Sequence, residues 1–536
     1  MDKTATDFTT LSFESAVQET LSQGAGGIST FAVLLAAFSV LFLSYLSTRN
    51  KWDIRGKDEK KEKPKGLDSI AGPKRLPLIG NLLDIKYNVE EMDDFFLETA
   101  AKYPKRARFN VLGENFIIIY NAEDMKEILH TKQYIQKSAE YDVFTWIGKG
   151  VLTADENLWM KTRPVLDKGF RHQMLNKYRD VFCNKTRQLM DVLKDRVAKH
   201  PDEAFNIFPL IFDTGFDIIS ESVMNTPSNV LGGVDKNVYS PNMDRAADFF
   251  HYLHFRPFFY KTTLGRFLWR HSKDGKEEAE CLKTLNDFSQ NLMQNRKRAL
   301  AQEPDQDSQN ATSLLDIMLL EQKTNPRWTD RQIRDEIDTF LTGGHGATTA
   351  TFGMFIQLMG AHPDIQEKVY QEVSAVFDGD SQRELTLDDL NKLKYTELCI
   401  KECLRLYPGV PIFPRAVLRP LTLSDGTVVP VNTTLLLIPF LLHRDPETFP
   451  DPEKFIPERF EVGHSDRHPY SWIPFSKGPR DCIGKAFSMI EMKVYVAYLM
   501  NNFKVVKAVN TEDMTVLLRI FLKSKTGIQI KLEPRY

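Results

Sequence analysis

The sequence predicts a mostly α-helical protein with a small β subdomain, preceded by one N-terminal transmembrane helix. Three observations carry that expectation. An uncharged apolar run fills residues 28–47, a helix-compatible stretch covers 329–360, and one clear strand pair stands out at 108–112 and 116–120. Composition agrees with a sizeable core, since 42% of the 536 residues are hydrophobic and 26% charged, as in ordinary globular proteins. A formal net charge of -2 argues against nucleic acid as a general partner. The five cysteines (Cys183, Cys281, Cys399, Cys403, Cys482) are odd in number and lack CxxC spacing. They point to a reducing compartment without a disulfide framework or zinc site.

In chain order, residues 1–27 are net acidic and too long for a signal-peptide leader, and no arginine precedes Arg49 to suggest a mitochondrial presequence. The run at 28–47 has the ~20 residues a helix needs to cross a bilayer. Arg49, Lys51, Arg55, Lys57, Lys60, Lys61, Lys63 and Lys65 follow it. By the positive-inside bias, everything downstream lies in the cytoplasm. Gly72 to Asn81 is an extended Pro/Gly hinge. Arg108–Leu112 and Phe116–Tyr120, separated by Gly113-Glu114-Asn115, read as a hairpin. Trp159 and Arg163 stand at i and i+4, so they share one helix face. Residues 205–262 are rich in aromatics, among them Phe249, Phe250, Tyr252, Phe255, Phe258, Phe259 and Tyr260. They suit ordinary core packing or contact with an apolar ligand or lipid.

The run from Thr329 opens with capping-box form, Thr329-Asp330-Arg331-Gln332. Its middle reads Gly343-Gly344-His345-Gly346-Ala347-Thr348-Thr349. Each glycine should destabilise a helix by ~1 kcal/mol relative to alanine. That burden implies a functional reason, such as a widened turn with room for a small molecule. His345 reads as a core or solvent-facing histidine, with a polar cavity residue as the alternative.

Near the C-terminus, Phe475-Ser476-Lys477-Gly478-Pro479-Arg480-Asp481-Cys482-Ile483-Gly484 places one cysteine in a tight loop, and a helix-like run follows from Lys485. A helix N-terminus favours a thiolate, and a thiolate is an electron-rich ligand for iron. The five positions Phe475, Gly478, Arg480, Cys482 and Gly484 match the pattern Phe-x-x-Gly-x-Arg-x-Cys-x-Gly. That pattern resembles the haem-ligand signature of the cytochrome P-450 family, and the likeness extends over residues 72–536. Around Cys482 the C-terminal region is most like the long-chain lipid hydroxylase branch.

The resemblance implies a cytochrome P-450 fold with Cys482 as axial iron ligand and Phe475, Arg480 and Gly484 around a bound haem. Trp159, Arg163 and Arg415 would bind its propionates. Glu402-x-x-Arg405, joined by Arg459, would form a structural trio beneath the thiolate loop. Haem b would be non-covalent, because Gly343 replaces the glutamate that some relatives use for a covalent link. Electrons would come from NADPH through a reductase, with cytochrome b5 as a possible second donor. Lys161, Lys168, Lys477 and Lys485 would form a basic docking face. The segments would be a short lumenal N-terminus (1–27), the transmembrane helix (28–47), a basic juxtamembrane linker (48–71) and the haem-thiolate catalytic domain (72–536). The natural setting is the endoplasmic reticulum membrane, single-pass and with the catalytic domain cytosolic. The expected activity is insertion of one oxygen atom from dioxygen into an apolar small molecule.

One departure bears on mechanism. The family's acid–alcohol pair falls on Gly346 and Ala347, and only its second threonine survives, as Thr348. Three readings stay open for proton delivery. Thr348 or backbone and water relays protons, a substrate hydroxyl does so, or the substrate is already a peroxide. The last makes the chain an isomerase or dehydratase of lipid peroxides that needs no reductase. A non-catalytic haem-binding protein is a further alternative.

Overall fold

The computed structural model describes residues 65–86, 91–254, 256–302, 311–461, 463, 466–507 and 516–535. The apolar run at 28–47 and its flanks up to Pro64 lie outside the described residues. Among the described residues, no helix is long and apolar enough to cross a membrane. Pro64–Tyr536 is one compact unit. Its ordered contacts begin ahead of Gly72, because Val428 N donates to Lys65 O at 2.8 Å and Asp68 pairs with Arg75 and Arg108.

The helices that position the site are α1 (Glu156–Leu166), α2 (His172–Lys199), α3 (Phe208–Ser222), α4 (Tyr239–His254), α5 (Lys273–Gln302), α6 (Asp330–Ala361), α7 (Lys394–Leu406) and α8 (Lys485–Asn502). The strands that matter are β1 (Arg106–Val111), β2 (Glu114–Ile119), β3 (Phe413–Val417), β4 (Thr433–Leu437), β5 (Val516–Leu518) and β6 (Leu522–Ser524). The architecture is mostly helical with a small β region, as expected.

The central element is α6. Its start is capped by Thr329, whose hydroxyl accepts from Gln332 N at 3.2 Å. The reciprocal half of the capping box is not made, because the Gln332 amide donates to Glu336 and Lys149 O instead. From Asp335 to Met359 every residue is buried except Gly343, Gly344 and Ala347. The widened turn expected at the glycines does not form, and the helix is continuous. Close packing takes its place. A Cβ at Gly344 would overlap Ile219 of α3, and one at Gly346 would overlap the Phe521 ring in the β5–β6 turn. The glycines let neighbours approach the helix, and that packing offsets their poor propensity.

Helix α8 is buried throughout from Glu491 to Asn502. Tyr495 stacks on Phe352 of α6 with ring centroids 4.5 Å apart. The main sheet runs β1-β2-β4-β3, with β2 and β4 parallel and the outer pairs antiparallel. The β1–β2 turn is shorter than expected. Glu114 and Asn115 already pair with Val111 and Asn110, leaving Leu112 and Gly113 at φ 51° and 91°. Two positive φ values in a two-residue turn match the twist of the flanking strands. Alternation along β3 turns Phe413, Arg415 and Val417 to the buried face.

Candidate functional site

The loop before α8 is held from several sides. Cys482 N donates to Phe475 O at 2.9 Å. Gly478 has φ 82°, and a Cβ there would collide with Leu129 O, so this position needs glycine. Arg480 is buried and donates to Ile135 O at 2.7 Å and Ala154 O at 2.6 Å. Arg163 of α1 donates to Asp481 O at 2.8 Å and pairs with the Asp481 carboxylate at 3.3 Å. Gly484 caps α8 at φ -85°. Its hydrogen stands in for a Cβ that would lie 3.9 Å from the Cys482 sulfur, an ordinary contact.

Cys482 lies deep in the protein, yet its side chain is accessible. It therefore borders an internal space. Burial pushes its thiol pKa up, while the Gly484 amide, Arg163 and Lys485 pull it down and Asp481 opposes them. The helix terminus and the nearby cations therefore act against desolvation at this sulfur. A metal that takes the proton's place on sulfur would supply the missing stabilisation.

Three buried cations, Lys137, Arg415 and Arg480, converge beside this loop. Lys137 Nζ lies 3.0 Å from the Tyr141 hydroxyl, and Arg415 Nη1 donates to Pro414 O at 3.1 Å. Burial lowers the pKa of all three, and Arg415 and Arg480 lower Lys137 further. Among the described residues, none of the three makes an ion pair with a carboxylate, although Asp155 favours the charged form of Arg480 from a distance. A guanidinium keeps its proton in a protein, so only an incoming anion relieves such a cluster. The Trp159 ring lies 5.5 Å from the Arg480 guanidinium and 5.9 Å from that of Arg163. A deep thiol and uncompensated buried cations together fit a metal-bearing, dianionic ring such as haem.

Of the residues expected around a haem, Cys482, Phe475, Arg480, Gly484, Trp159 and Arg415 come together here. Arg163 differs. Its guanidinium is engaged by Asp481 and by Asp167 at 2.7 Å, so it holds the loop and sits at the edge of the cationic cluster. Lys137 and Tyr141 carried no motif, and only the fold brings them to Arg415.

In the buried stretch of α6 the accessible positions are Gly343, Gly344 and Ala347, and Gly344 packs against Ile219. Thr348 is not among them. Its hydroxyl lies 3.0 Å from that of Ser488 in α8, beside the buried Glu491 carboxyl, whose pKa is raised well above the usual range by burial. Thr349 donates to His345 O at 2.7 Å and Thr351 to Ala347 O at 3.0 Å. His345 is a core histidine, with Nδ1 2.5 Å from Leu341 O and its ring 4.6 Å from Phe212. Burial lowers its pKa to about 4.

The remaining expected residues form a scaffold. Glu402 is chelated by Arg405 at 2.7 and 2.8 Å and by Arg459 at 3.3 Å, and it also accepts from Ile456 N. Arg405 spends its other donors on His443 O, Pro452 O and Lys454 O, fixing the loop ahead of Cys482. Lys161 and Lys485 are exposed. Lys477 covers the Tyr470 ring at 4.9 Å, and its pKa is lowered by burial and then by Lys485, so these two charges are neighbours. Lys168 is paired with Glu321 at 3.7 Å. The aromatic region divides: Phe249 and Phe250 are core, Tyr252 and Phe258 are exposed, and Phe255 lies outside the described residues.

The family model described as cytochrome P-450 matches residues 70–532. The chain is similar to cytochrome P-450 4c3 of Drosophila melanogaster, with 28% identity over 98% of this chain and 99% of that protein. It is 32% identical to cytochrome P-450 4V2 of Mus musculus, over 94% of this chain and 95% of that one. Its identity to cytochrome P-450 4c21 of Blattella germanica is also 32%, covering 88% of this chain and 95% of the relative.

Proposed function

The chain belongs to the cytochrome P-450 family and is a haem-dependent monooxygenase of hydrophobic substrates, and on that premise we propose that it inserts one atom of dioxygen into a lipid-like molecule using NADPH through a reductase. The observation that carries this reading is the pairing of the accessible, deeply set Cys482 with the uncompensated cations Lys137, Arg415 and Arg480.

Cys482 would ligate the iron, and Lys137, Arg415 and Arg480 would hold the propionates against the Trp159 edge. Haem held this way supplies dioxygen activation, with the thiolate pushing electron density toward the metal. The chain's own residues do the rest. Arg163 keeps Asp481, and hence Cys482, in register with α1. The Thr348–Ser488 hydrogen bond ties α6 to the first turns of α8. Gly343 and Ala347 leave the facing surface small and apolar, which suits a hydrophobic substrate. Lys477, Lys485 and Lys161 offer positive charge to an acidic electron donor, a reductase or cytochrome b5. Residues 28–47 would anchor the chain in the endoplasmic reticulum membrane.

The test uses the full chain with an NADPH-dependent reductase and a panel of fatty acids, sterols and terpenoids. Substrate-induced spectral changes should identify a ligand whose hydroxylated product forms in proportion to NADPH consumed. Turnover of a lipid hydroperoxide without NADPH, and none with it, would overturn the reading. Charge reversal at Lys477 and Lys485 should weaken reductase binding and flatten its salt dependence.

A further inference from the structure

Residues 148–154 form a short loop caught between α6 and the Cys482 loop. From α6, Glu336 Oε2 accepts from Val151 N at 2.8 Å, and Asp335 Oδ2 accepts from Lys149 N at 2.9 Å. Gln332 Nε2 donates to Glu336 Oε1 at 3.0 Å, so both oxygens of this fully buried side chain are engaged. The approach is close. A Cβ at Gly148 would overlap the Asp335 carboxylate, and one at Gly150 would overlap Thr339 Oγ1. Just ahead of the loop, Trp146 Nε1 donates to Thr342 Oγ1 at 3.2 Å. Asp335, Thr339 and Thr342 stand at i, i+4 and i+7, so they share one side of the helix, with Glu336 beside them.

The carbonyls of the loop are spent on Arg480. Its Nη2 donates to Ala154 O at 2.6 Å and, at longer range, to Val151 O at 3.4 Å. Within the loop, Ala154 N donates to Gly150 O at 2.8 Å and Thr153 Oγ1 to Gly148 O at 2.6 Å, which ties residues 148–154 into one turn. Val151 thus has its N–H on Glu336 and its carbonyl toward Arg480. Arg480 Nε is buried and, among the described residues, has no hydrogen-bond partner, which leaves that donor for an incoming anion. The same turn runs directly into α1, whose start is capped by Asp155 accepting from Leu158 N at 2.9 Å. Trp159 and Arg163 follow on that helix. Moving the loop would therefore move Arg480 and the Trp159 edge together.

We infer that Glu336 is a positioning residue for the haem anchor: by holding residues 148–154 against α6, it keeps the Ala154 carbonyl where it pins Arg480, with Nε left to a propionate. The inference rests on the haem reading above. Asp335 shares the task through Lys149 N. Glu336 and the accessible Gly343 and Ala347 belong to one helix, so α6 sets the haem anchor at one end and the substrate side at its middle.

The test follows haem transfer from the full-length holoprotein to an acceptor globin, in a double-mutant cycle of Glu336→Leu with Arg480→Met. Alone, Glu336→Leu should speed haem loss by about tenfold, the scale of one charge-assisted hydrogen bond. In the Arg480→Met background it should change the rate by less than about twofold, because the group it acts through is gone. Glu336→Gln keeps an acceptor for Val151 N and should hold the parent rate. The propionate bending modes in the resonance Raman spectrum should shift in Glu336→Leu and stay in place in Glu336→Gln. The inference is overturned if Glu336→Leu leaves the rate or the propionate modes unchanged. Equal acceleration in both backgrounds would also overturn it, since a general loosening of the fold acts regardless of Arg480. Should Glu336→Leu not fold, Gly150→Ala, which presses the same turn away from Thr339, takes its place in the cycle. A parent chain that binds no haem would defeat the functional reading itself, whereas a sound holoprotein with an additive cycle defeats only the role of Glu336.

Discussion

The ring of Phe521 covers Gly346 so closely that a Cβ at residue 346 would overlap it. The two residues are a matched pair, and the aromatic takes the space that an acidic side chain would need. Restoring the acid by Gly346→Asp should therefore destabilise the fold by ~1–3 kcal/mol through overpacking. Phe521→Ala in the same chain should recover part of that loss. A double-mutant cycle read by denaturant unfolding should give a coupling of at least ~0.5 kcal/mol. Additive effects would mean that the ring moves aside freely.

The cationic cluster should behave differently with and without haem. Replacing Lys137 or Arg415 by methionine removes one of three buried like charges. The haem-free protein should be no less stable than the parent in urea. Haem should leave ~10–100-fold faster, reflecting ~1.5–3 kcal/mol of charge-assisted hydrogen bonding lost. Transfer of haem to an acceptor globin measures that rate.

Arg405→Met strands the fully buried Glu402 carboxylate between Arg459 and Ile456. Breaking a buried ion pair from one side is expected to cost about 3–5 kcal/mol. Its effect should appear as a lower denaturation midpoint and poor haem retention. Arg459→Lys keeps a charge near Glu402 and should be milder.

Stability should also carry a signature of Asp338. Its pKa is raised from 3.8 to about 8, mainly by burial. A raised carboxyl pKa gives stability that is fully present below the unfolded value and lost as pH rises through the folded one. Between about pH 4 and 8, then, Asp338 should make the native state progressively less stable. Glu336, also raised to about 8, acts the same way. The difference in unfolding free energy between Asp338→Asn and the parent should shift in favour of the variant across that window. Parallel pH profiles would contradict it.

What was legible in the sequence was whatever depends on neighbours along the chain. The Cys482 loop, the Glu402–Arg405 spacing and the long helix at Asp330–Ala361 are short-range patterns, and the fold realises them. Residues brought in from afar were not legible. Lys137 reaches the site because Ala416 N donates to Gln136 O, fastening a loop to β3 across some 280 positions of sequence. Phe521 meets Gly346 only because α4 grips the β5–β6 turn. Thr348 shows the limit from the other side. Its position in the motif suggested the reacting face, and the helical phase turns its hydroxyl to Ser488.

The account turns on Cys482 as the iron ligand. The most direct measurement is the absorption spectrum of the reduced, carbon monoxide-bound holoprotein, for the parent and for Cys482→His. The expected result is the red-shifted Soret band of a thiolate-ligated haem in the parent, replaced by the band of an imidazole-ligated haem in the variant. The same spectrum from both proteins would contradict it.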